Sequence, residues 1–150
     1  MSSQPLELTP ASPAKAMRML VVDDDDAVRA VLAEILQEEG FQVVGQAIDG
    51  IEGVSLALSL TPDGVLLDVR MPRMGGIEAA RAIRAKLPNV RIVLLSAYDD
   101  LSLRAEAREA GASAFLVKGC PLSELIDAVS DADTTGTKGD LTATPQTAPA

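Results

Sequence analysis

Short apolar segments alternate with longer amphipathic ones through the middle of this chain. The apolar segments are rich in Val and Leu and nearly continuous, and they lie at residues 19–22, 41–47, 65–67, 90–95 and 114–117. Runs of this length and continuity are typical of strands that a parallel sheet buries on both faces. The pattern therefore predicts five such strands.

Helical patterns separate the predicted strands. The first has apolar residues at helical spacing from Val28 to Leu36, and Gly40 is a plausible stop. The last follows Pro121, which suits the first position of a helix. Three Ala-, Leu-, Arg- and Glu-rich segments lie between them, at about 50–60, 75–86 and 99–110. This alternation predicts a doubly wound α/β sheet with right-handed crossovers, whose sites lie beyond the carboxyl ends of the strands.

The two ends of the chain have a different composition from its middle. Residues 1–16 are rich in Pro, Ser and Ala, and residues 131–150 are mostly Thr, Ala, Gly and Pro. Neither end has apolar periodicity, so we expect both to be disordered or linker-like. The remaining stretch, residues 17–130, is expected to form one domain.

Charge and composition narrow the function classes. The formal net charge is −9, which argues against direct binding to nucleic acid or to an anionic membrane surface. The chain contains no histidine, so a His-based zinc site and the commonest general base are excluded. Any chemistry must therefore use carboxylates, hydroxyls and lysines.

Sequence features also bear on location. The start of the chain has no basic leader followed by an apolar stretch, and no apolar run approaches the roughly 18 residues that span a bilayer. The single cysteine, Cys120, allows no internal disulfide and fits a reducing compartment. We therefore expect a cytoplasmic protein without a membrane segment.

Polar residues follow four of the predicted strands. The first strand ends in four aspartates at residues 23–26, the third in Asp68, the fourth in Ser96 and the fifth in Lys118. Carboxylates gathered at one sheet edge repel one another, and a hard divalent cation such as Mg²⁺ resolves this repulsion. Asp68 is then a candidate nucleophile of the acyl-phosphate type, with Ser96 and Lys118 as contacts for phosphoryl oxygens.

The same residues allow other interpretations. An aspartate run before a helix often only caps it, and a lone Asp at a strand end is usually a turn residue. A dinucleotide, P-loop or flavin site needs a phosphate-cradling first loop, which four aspartates do not provide. A Mg²⁺-dependent dehalogenase-type phosphohydrolase could use Asp23 and Asp25 with Ser96 and Lys118, but it lacks a later acidic strand end and leaves Asp68 unexplained. A constitutive interaction domain with a vestigial pocket is the third hypothesis.

The constellation resembles the receiver domain of bacterial two-component response regulators over about residues 17–130. The matching segments read MLVVDDDDAVRAVL, LLDVRMPRMGGIEAARAIR, VRIVLLSAYDD and AGASAFLVKG, and VVGQAIDGIEGVSLAL looks most like the nitrate-regulator branch. The resemblance implies a flavodoxin-like fold with strand order 2-1-3-4-5. It also implies a signalling protein rather than an enzyme, phosphorylated by a sensor histidine kinase or a histidine phosphotransfer protein.

The resemblance also implies a role for each acidic residue. Asp68 would be the phosphoacceptor and a ligand of Mg²⁺. Asp24 would bind the ion directly, Asp23 would act through water, and Arg70 would contribute its backbone carbonyl. Asp25 and its neighbour Asp26 would only cap the first helix.

Three further residues complete the implied switch. Ser96 and Lys118 would hold the phosphoryl group, and Phe115 would rotate inward as Ser96 moves toward the phosphate. The output would be a changed surface on the fourth helix, fifth strand and fifth helix. Plain core packing remains the alternative for Phe115.

Departures from the family pattern are small within the domain and large after it. Gly119 stands where a proline is common after the lysine, and residues 74–76 read Met-Gly-Gly, which lacks a helix-capping carboxylate. Members of this branch usually carry a helix-turn-helix output domain, for which the residues after 130 show no pattern. We expect a stand-alone regulator, with truncation as the alternative.

Overall fold

The computed structural model describes residues 16–130 as alternating strands and helices. In chain order they are β1 (Arg18–Val22), α1 (Asp26–Glu38), β2 (Gln42–Ala47), α2 (Gly50–Leu60), β3 (Gly64–Asp68), α3 (Gly76–Lys86), β4 (Arg91–Ser96), α4 (Leu101–Glu109), β5 (Ala114–Val117) and α5 (Leu122–Val129). The five strands pair in parallel in the order β2-β1-β3-β4-β5. The doubly wound sheet and its strand order are therefore confirmed. The predicted disordered ends lie outside the described residues, apart from Ala16.

Two aliphatic cores cover the faces of the sheet. Successive strand residues point to opposite faces, so Leu20 and Val22 pack under α2, α3 and α4, while Met19 and Val21 pack under α1 and α5. Every residue of β3 and β4 is buried. The aliphatic composition thus fills a core in which Phe115 is the largest fully buried side chain.

The prediction that every strand is buried on both faces is wrong for β2. Of its six residues only Ala47 is buried, and Gln42 and Gln46 are exposed. The reason is its position, because β2 lies at an edge of the sheet with β1 as its one neighbour. Its two exposed glutamines suit an edge strand.

Arginines close the end of the sheet where the strands begin. Arg18 donates to the carbonyls of Leu60 and Thr61, at 3.0 and 2.9 Å, where α2 ends. Arg84 donates to the carbonyls of Pro88 and Gly111, at 2.9 Å each, beyond the ends of α3 and α4. The contacts of Arg18 satisfy carbonyls that the end of α2 leaves unpaired and place a cation at the negative end of its dipole, while those of Arg84 fix the turns after α3 and α4. Arg18 and Arg84 therefore stabilise the fold at the end of the sheet opposite the predicted site.

The first and last described residues meet at this same end. Ala16 and Ser130 line one open cleft, together with Arg18, Arg84 and Arg91. Arg91 donates its Nε proton to the carbonyl of Ala128 near the end of α5. Both ends of the described domain thus lie at the amino ends of the strands, opposite the edge where sequence analysis places the site.

Gly76, the first residue of α3, packs directly on the strand that carries Asp68. An added Cβ would lie 2.1 Å from the backbone oxygen of Asp68 and 2.9 Å from its carbonyl carbon. We expect Gly76→Ala to lower the free energy of unfolding by about 3 kcal/mol, because backbone cannot move aside as a flexible side chain can. Urea denaturation followed by circular dichroism measures this loss.

Gly40 provides the control for this experiment. Its φ is +96° and nothing lies within 4 Å of an added Cβ, so Gly40→Ala tests backbone strain without a clash. We expect it to cost only about 1 kcal/mol. Equal losses in the two variants would show that the contact with Asp68 is not what requires glycine at position 76.

Candidate functional site

Three aspartates converge at the carboxyl ends of β1 and β3. Asp23 directly follows β1, and its amide donates to the carbonyl of Ala47 at 3.1 Å, which fixes it beside the end of β2. Asp68 is the last residue of β3 and is buried, as Asp23 is. With the exposed Asp24, each offers a carboxylate oxygen, and these atoms all lie within 4.8 Å of one another. The convergence predicted from the strand ends is therefore present.

Of the next two aspartates, Asp25 caps α1 as expected, whereas Asp26 lies in the first turn of the helix and does not cap it. Asp25 is the N-cap of α1, and its Oδ1 accepts hydrogen bonds from the amides of Ala27 and Val28 at 2.9 and 3.1 Å. Asp26 begins the helix and pairs with Arg29 at 2.7 Å. Asp25 is thus turned toward its own helix rather than toward the acidic cluster.

Lys118 reaches two of the clustered carboxylates. Its Nζ lies 3.1 Å from Oδ1 of Asp68 and 3.3 Å from Oδ2 of Asp23. The backbone holds it in place, because its amide donates to the carbonyl of Ser96 at 2.7 Å. Gly119 follows with φ +91°, a left-handed conformation that glycine adopts without strain. The lysine predicted to hold a phosphoryl group therefore compensates the acidic cluster in this state.

Burial and charge set the protonation of this pair. Burial raises the pKa of Asp68, and the nearby charges of Asp23 and Asp24 add to this rise, while Lys118 opposes it. Burial acts to lower the pKa of Lys118, but its contacts with Asp68 and Asp23 outweigh this and raise it. The lysine therefore stays charged while Asp68 is poorly compensated. A further cation at the cluster would favour the ionised, nucleophilic form of Asp68.

Ser96 ends the strand next to Asp68. Its side chain is buried, and its Oγ accepts a hydrogen bond from the amide of Tyr98 at 3.0 Å. Strand β4 pairs with β3 up to Asp68 and Leu95, so Ser96 follows one position beyond that pair. Since Oγ accepts from Tyr98, its own proton remains to be donated elsewhere.

Arg70 and Tyr98 flank the cluster on the loops that follow β3 and β4. The guanidinium carbon of Arg70 lies 5.9 Å from the centre of the exposed Tyr98 ring. This distance is within the range of a cation–π contact. The two side chains thus join the loops that follow β3 and β4. The expected contribution of the Arg70 carbonyl to a metal ion stays a prediction.

Phe115 lies in the core beneath α4. Its ring is fully buried, and the guanidinium carbon of Arg104 lies 4.9 Å from the ring centre. Arg104 also pairs with Asp99, at 3.0 Å, in the loop that follows Ser96. A buried Phe115 ring is expected both if the residue only packs in the core and if it is a switch residue in its inward position. The switching role of Phe115 therefore stays a prediction.

Sequence reasoning did not find one ion pair near the site. Arg73 contacts Asp49, at 2.6 and 2.9 Å, and so joins the loop after β3 to the start of α2. The sequence does indicate that Asp49 caps a helix, because Asp49 and Glu52 have the spacing of a capping box. Glu52 Oε1 accepts from the amide of Ile48, the residue before the N-cap, at 2.9 Å. No local pattern in the sequence identifies Arg73 as the partner of Asp49.

The part of the chain that the structure describes has no helix long and apolar enough to cross a bilayer.

Sequence comparisons identify a family and two kinds of relative. The family described as the response regulator receiver domain matches residues 19–130. The transcriptional regulatory protein PdtaR of Mycobacterium tuberculosis is 46% identical over 121 residues, which are 81% of this chain and 58% of that protein. The response regulator GacA of Pseudomonas aeruginosa is 39% identical over 114 residues, which are 75% of this chain and 53% of that protein. This chain thus spans a little over half the length of these curated relatives.

Solved structures give the same result. The receiver domain of the putative response regulator NarL of Mycobacterium tuberculosis superposes with a TM-score of 0.74 at 35% identity, covering 78% of this chain and 95% of that one. A CheX–CheY–BeF3–Mg²⁺ complex from Borrelia burgdorferi matches with a TM-score of 0.71 at 30% identity, covering 75% of this chain and 86% of that one.

Geometry and comparisons lead to one assignment. The dehalogenase-type alternative needs Asp25 as its second site aspartate, but Asp25 caps α1, and the comparisons give that alternative no support. Asp68, which that alternative left unexplained, lies within the acidic cluster. The chain belongs to the receiver domain family of two-component response regulators.

Proposed function

We propose that this receiver domain is a phosphorylation-dependent switch whose phosphoacceptor is Asp68. The observation that carries the proposal is the buried Asp68 carboxylate, with the Lys118 ammonium 3.1 Å away and two further carboxylates within 4.8 Å. A nucleophile, a cation and an acidic pair at one sheet edge are the parts that phosphoryl transfer to a carboxylate requires.

The donor set fits Mg²⁺. All three ligands are carboxylate oxygens, and the exposed side chain of Asp24 leaves access for waters, which Mg²⁺ usually retains. Asp24 and Asp68 would hold the ion directly, Asp23 through water, and Arg70 through its carbonyl. The CheX–CheY complex named above contains Mg²⁺ with BeF3, which supports this assignment. When bound, the ion would supply positive charge to carboxylate and phosphoryl oxygens.

The protein's own residues then have separate roles. An Asp68 carboxylate oxygen attacks the phosphorus atom of the donor's phosphohistidine. The phosphorus–nitrogen bond breaks, and the ring, which carries a proton on its other nitrogen, leaves as neutral imidazole. Lys118 exchanges its contact with Asp68 for one with a phosphoryl oxygen. Ser96 donates its hydroxyl proton to another oxygen. Movement of Ser96 toward the phosphate would favour the inward position of the Phe115 ring over an outward one and so change the surface of α4, β5 and α5.

Composition and charge support a phosphoryl donor, a cellular location and a class of target. Because the chain has no histidine, the donor is another molecule, a sensor histidine kinase or a histidine phosphotransfer protein. The proposal includes a cytoplasmic location, which the lone Cys120 favours, and a downstream protein target rather than nucleic acid, because the net charge is −9. It includes no turnover of an external substrate.

One experiment tests the proposed function as a whole. Incubation with acetyl phosphate and Mg²⁺ should add one phosphoryl group that is labile at alkaline pH, as an acyl phosphate is. Incubation with a chromogenic phosphate ester should release no product beyond the buffer control. Catalytic release from the ester would instead favour a phosphohydrolase.

Removing Asp24 tests the metal set. Mg²⁺ should raise the melting temperature of the wild-type chain, because a ligand that binds only the folded state stabilises it. In Asp24→Ala that rise should disappear, since one of the three clustered ligands is lost. Asp26→Ala is the matched control, because Asp26 is exposed and pairs with Arg29 on α1. A Mg²⁺-induced rise that persists in Asp24→Ala would remove this residue from the ligand set.

A further inference from the structure

The loop that follows the phosphoacceptor, residues 69–75, contacts the start of α2 directly. The amide of Gly50 donates to the carbonyl of Met74 at 3.0 Å. An added Cβ at Gly50 would lie 2.3 Å from that same oxygen, so only glycine permits this approach. The backbone of the loop therefore rests on the first turn of α2.

An ion pair at the same point reinforces this backbone contact. Both Nε and Nη2 of Arg73 donate to Oδ2 of Asp49, at 2.9 and 2.6 Å. The other oxygen of Asp49 accepts from the amide of Glu52 at 2.8 Å and caps α2. The Asp49 side chain is 3% exposed and that of Arg73 is 62% exposed. A buried anchor on the helix thus holds an exposed side chain of the loop.

Protonation of the anchor agrees with this geometry. The hydrogen bond from the Glu52 amide lowers the pKa of Asp49, Arg73 lowers it further, and burial opposes both. Asp49 is therefore a carboxylate at neutral pH. A charge-assisted pair of this kind is stronger than a neutral hydrogen bond.

Arg73 also has an unusual backbone conformation. Its φ is +69°, in the left-handed region where an L side chain costs about 1 kcal/mol relative to glycine. The chain nevertheless has arginine here, and the contact with Asp49 is what that side chain provides. Turn formation alone therefore does not account for arginine at this position.

The loop is short and is held at both ends. It begins after Asp68, and its base is closed by the hydrogen bond from the Gly76 amide to the Val69 carbonyl at 2.8 Å. Arg70, whose carbonyl is the proposed metal ligand, lies between this closed base and Arg73. Displacing the loop at Arg73 would therefore displace the Arg70 carbonyl as well.

We propose that Arg73 is a positioning residue that, through Asp49, holds the loop carrying the Arg70 carbonyl in the geometry for Mg²⁺ binding. This inference rests on the proposed metal site. It gives α2 a part in metal binding, because binding at one end of the loop and pairing at the other stabilise each other by the same free energy.

The alternative is that the pair only stabilises the fold. Removing Arg73 would then lower the melting temperature and leave the dissociation constant for Mg²⁺ unchanged. The measurement that separates the two is therefore Mg²⁺ binding to the folded chain, by calorimetric titration at a temperature where every variant is folded.

Arg73→Gly is the main variant, because glycine suits the left-handed backbone and only the side chain is lost. We expect its dissociation constant for Mg²⁺ to rise about tenfold, the loss typical of outer residues that orient metal ligands. Arg73→Lys keeps the charge without the two-nitrogen contact. Its dissociation constant for Mg²⁺ should lie between those of Arg73→Gly and the wild-type chain. Asp49→Asn keeps an oxygen to cap α2 and should also weaken Mg²⁺ binding.

Arg84→Ala is the control for lost stability. Arg84 donates to carbonyls at the opposite end of the sheet, so its removal destabilises the fold without touching the loop. Its Mg²⁺ affinity should stay within about twofold of wild type. A second measurement does not depend on stability. Mg²⁺ should shift the amide signal of Glu52, which donates to Asp49, in the wild-type chain and not in Arg73→Gly.

The outcomes distinguish the two proposals. If the wild-type chain binds Mg²⁺ and Asp24→Ala does not, the metal site stands. Wild-type affinity in Arg73→Gly would then overturn the role of Arg73 alone. If the wild-type chain binds no Mg²⁺, both proposals are wrong.

Discussion

Asp68→Asn is expected to abolish phosphoryl uptake from acetyl phosphate while the chain stays folded. Asparagine has nearly the same shape but no nucleophilic carboxylate oxygen, so the acyl phosphate cannot form. Burial raises the pKa of Asp68, which means that the folded state disfavours its charge. Replacing it with a neutral side chain should therefore leave the melting temperature equal or higher, with Lys118 still paired to Asp23.

Mass spectrometry of the intact protein measures this result. The wild-type chain should gain one phosphoryl group with Mg²⁺ and lose it at alkaline pH, and Asp68→Asn should gain none. Asp26→Asn is the matched control, because it changes an exposed aspartate of α1 and should be labelled like wild type. Phosphate recovered on a serine or threonine of the wild-type chain would contradict the assignment of Asp68.

In Lys118→Ala we expect phosphorylation of Asp68 to persist without the conformational response that follows it in the wild-type chain. Without the lysine, Asp23 and Asp68 lose the cation that lies 3.3 and 3.1 Å away, so Mg²⁺ should bind as tightly as in wild type or more tightly. Phosphorylation of Asp68 should persist. The conformational response should be lost, because the phosphoryl group then lacks its tie to the end of β5.

Stability gives a second readout of the same variant. Two buried carboxylates left uncompensated should lower the free energy of unfolding in metal-free buffer by about 1–2 kcal/mol, less than for a fully buried pair because Lys118 is partly exposed. Saturating Mg²⁺ should restore most of this loss. Lys86→Ala, which removes an exposed lysine at the end of α3, should change stability by under about 0.5 kcal/mol.

Chemical shifts around Phe115 and α5 report the conformational response. In the wild-type chain and in Lys86→Ala they should change on phosphorylation, and in Lys118→Ala they should stay near their unphosphorylated positions. If Lys118→Ala instead responds like wild type, the lysine does not couple the phosphate to the switch, and that role passes to Ser96.

Much of the fold could be predicted because its signals are local. Four of the five apolar runs coincide with largely buried strands, and α2 occupies the predicted residues 50–60. The N-cap of α1 was likewise expected from the aspartate run. One error has a positional cause, since β2 is an edge strand. Composition alone does not show which strand lies at an edge of the sheet.

The site was predictable to the extent that strand ends determine it. Asp68 ends β3, and Asp23 and Lys118 directly follow β1 and β5, so the fold class alone places all three at one edge of the sheet. Arg73 and Asp49 are 24 residues apart and meet through a left-handed loop residue. Arg104 meets Phe115 across the packing of α4 on β5. These two contacts depend on the direction in which side chains point in the folded chain. No periodicity or spacing in the sequence indicates that direction.

The meeting of both domain ends at the cleft lined by Ala16 and Ser130 has a practical consequence for how the protein can be handled. An affinity tag, a fluorophore or a fused domain joined directly at Ala16 or Ser130 would meet the domain a full strand length from the acidic cluster. For the five residues of β1 that is roughly 17 Å. Labels for following phosphorylation can therefore be placed at one end or at both, and a pair of them would report on the far end of the sheet while Asp68 stays accessible to its donor.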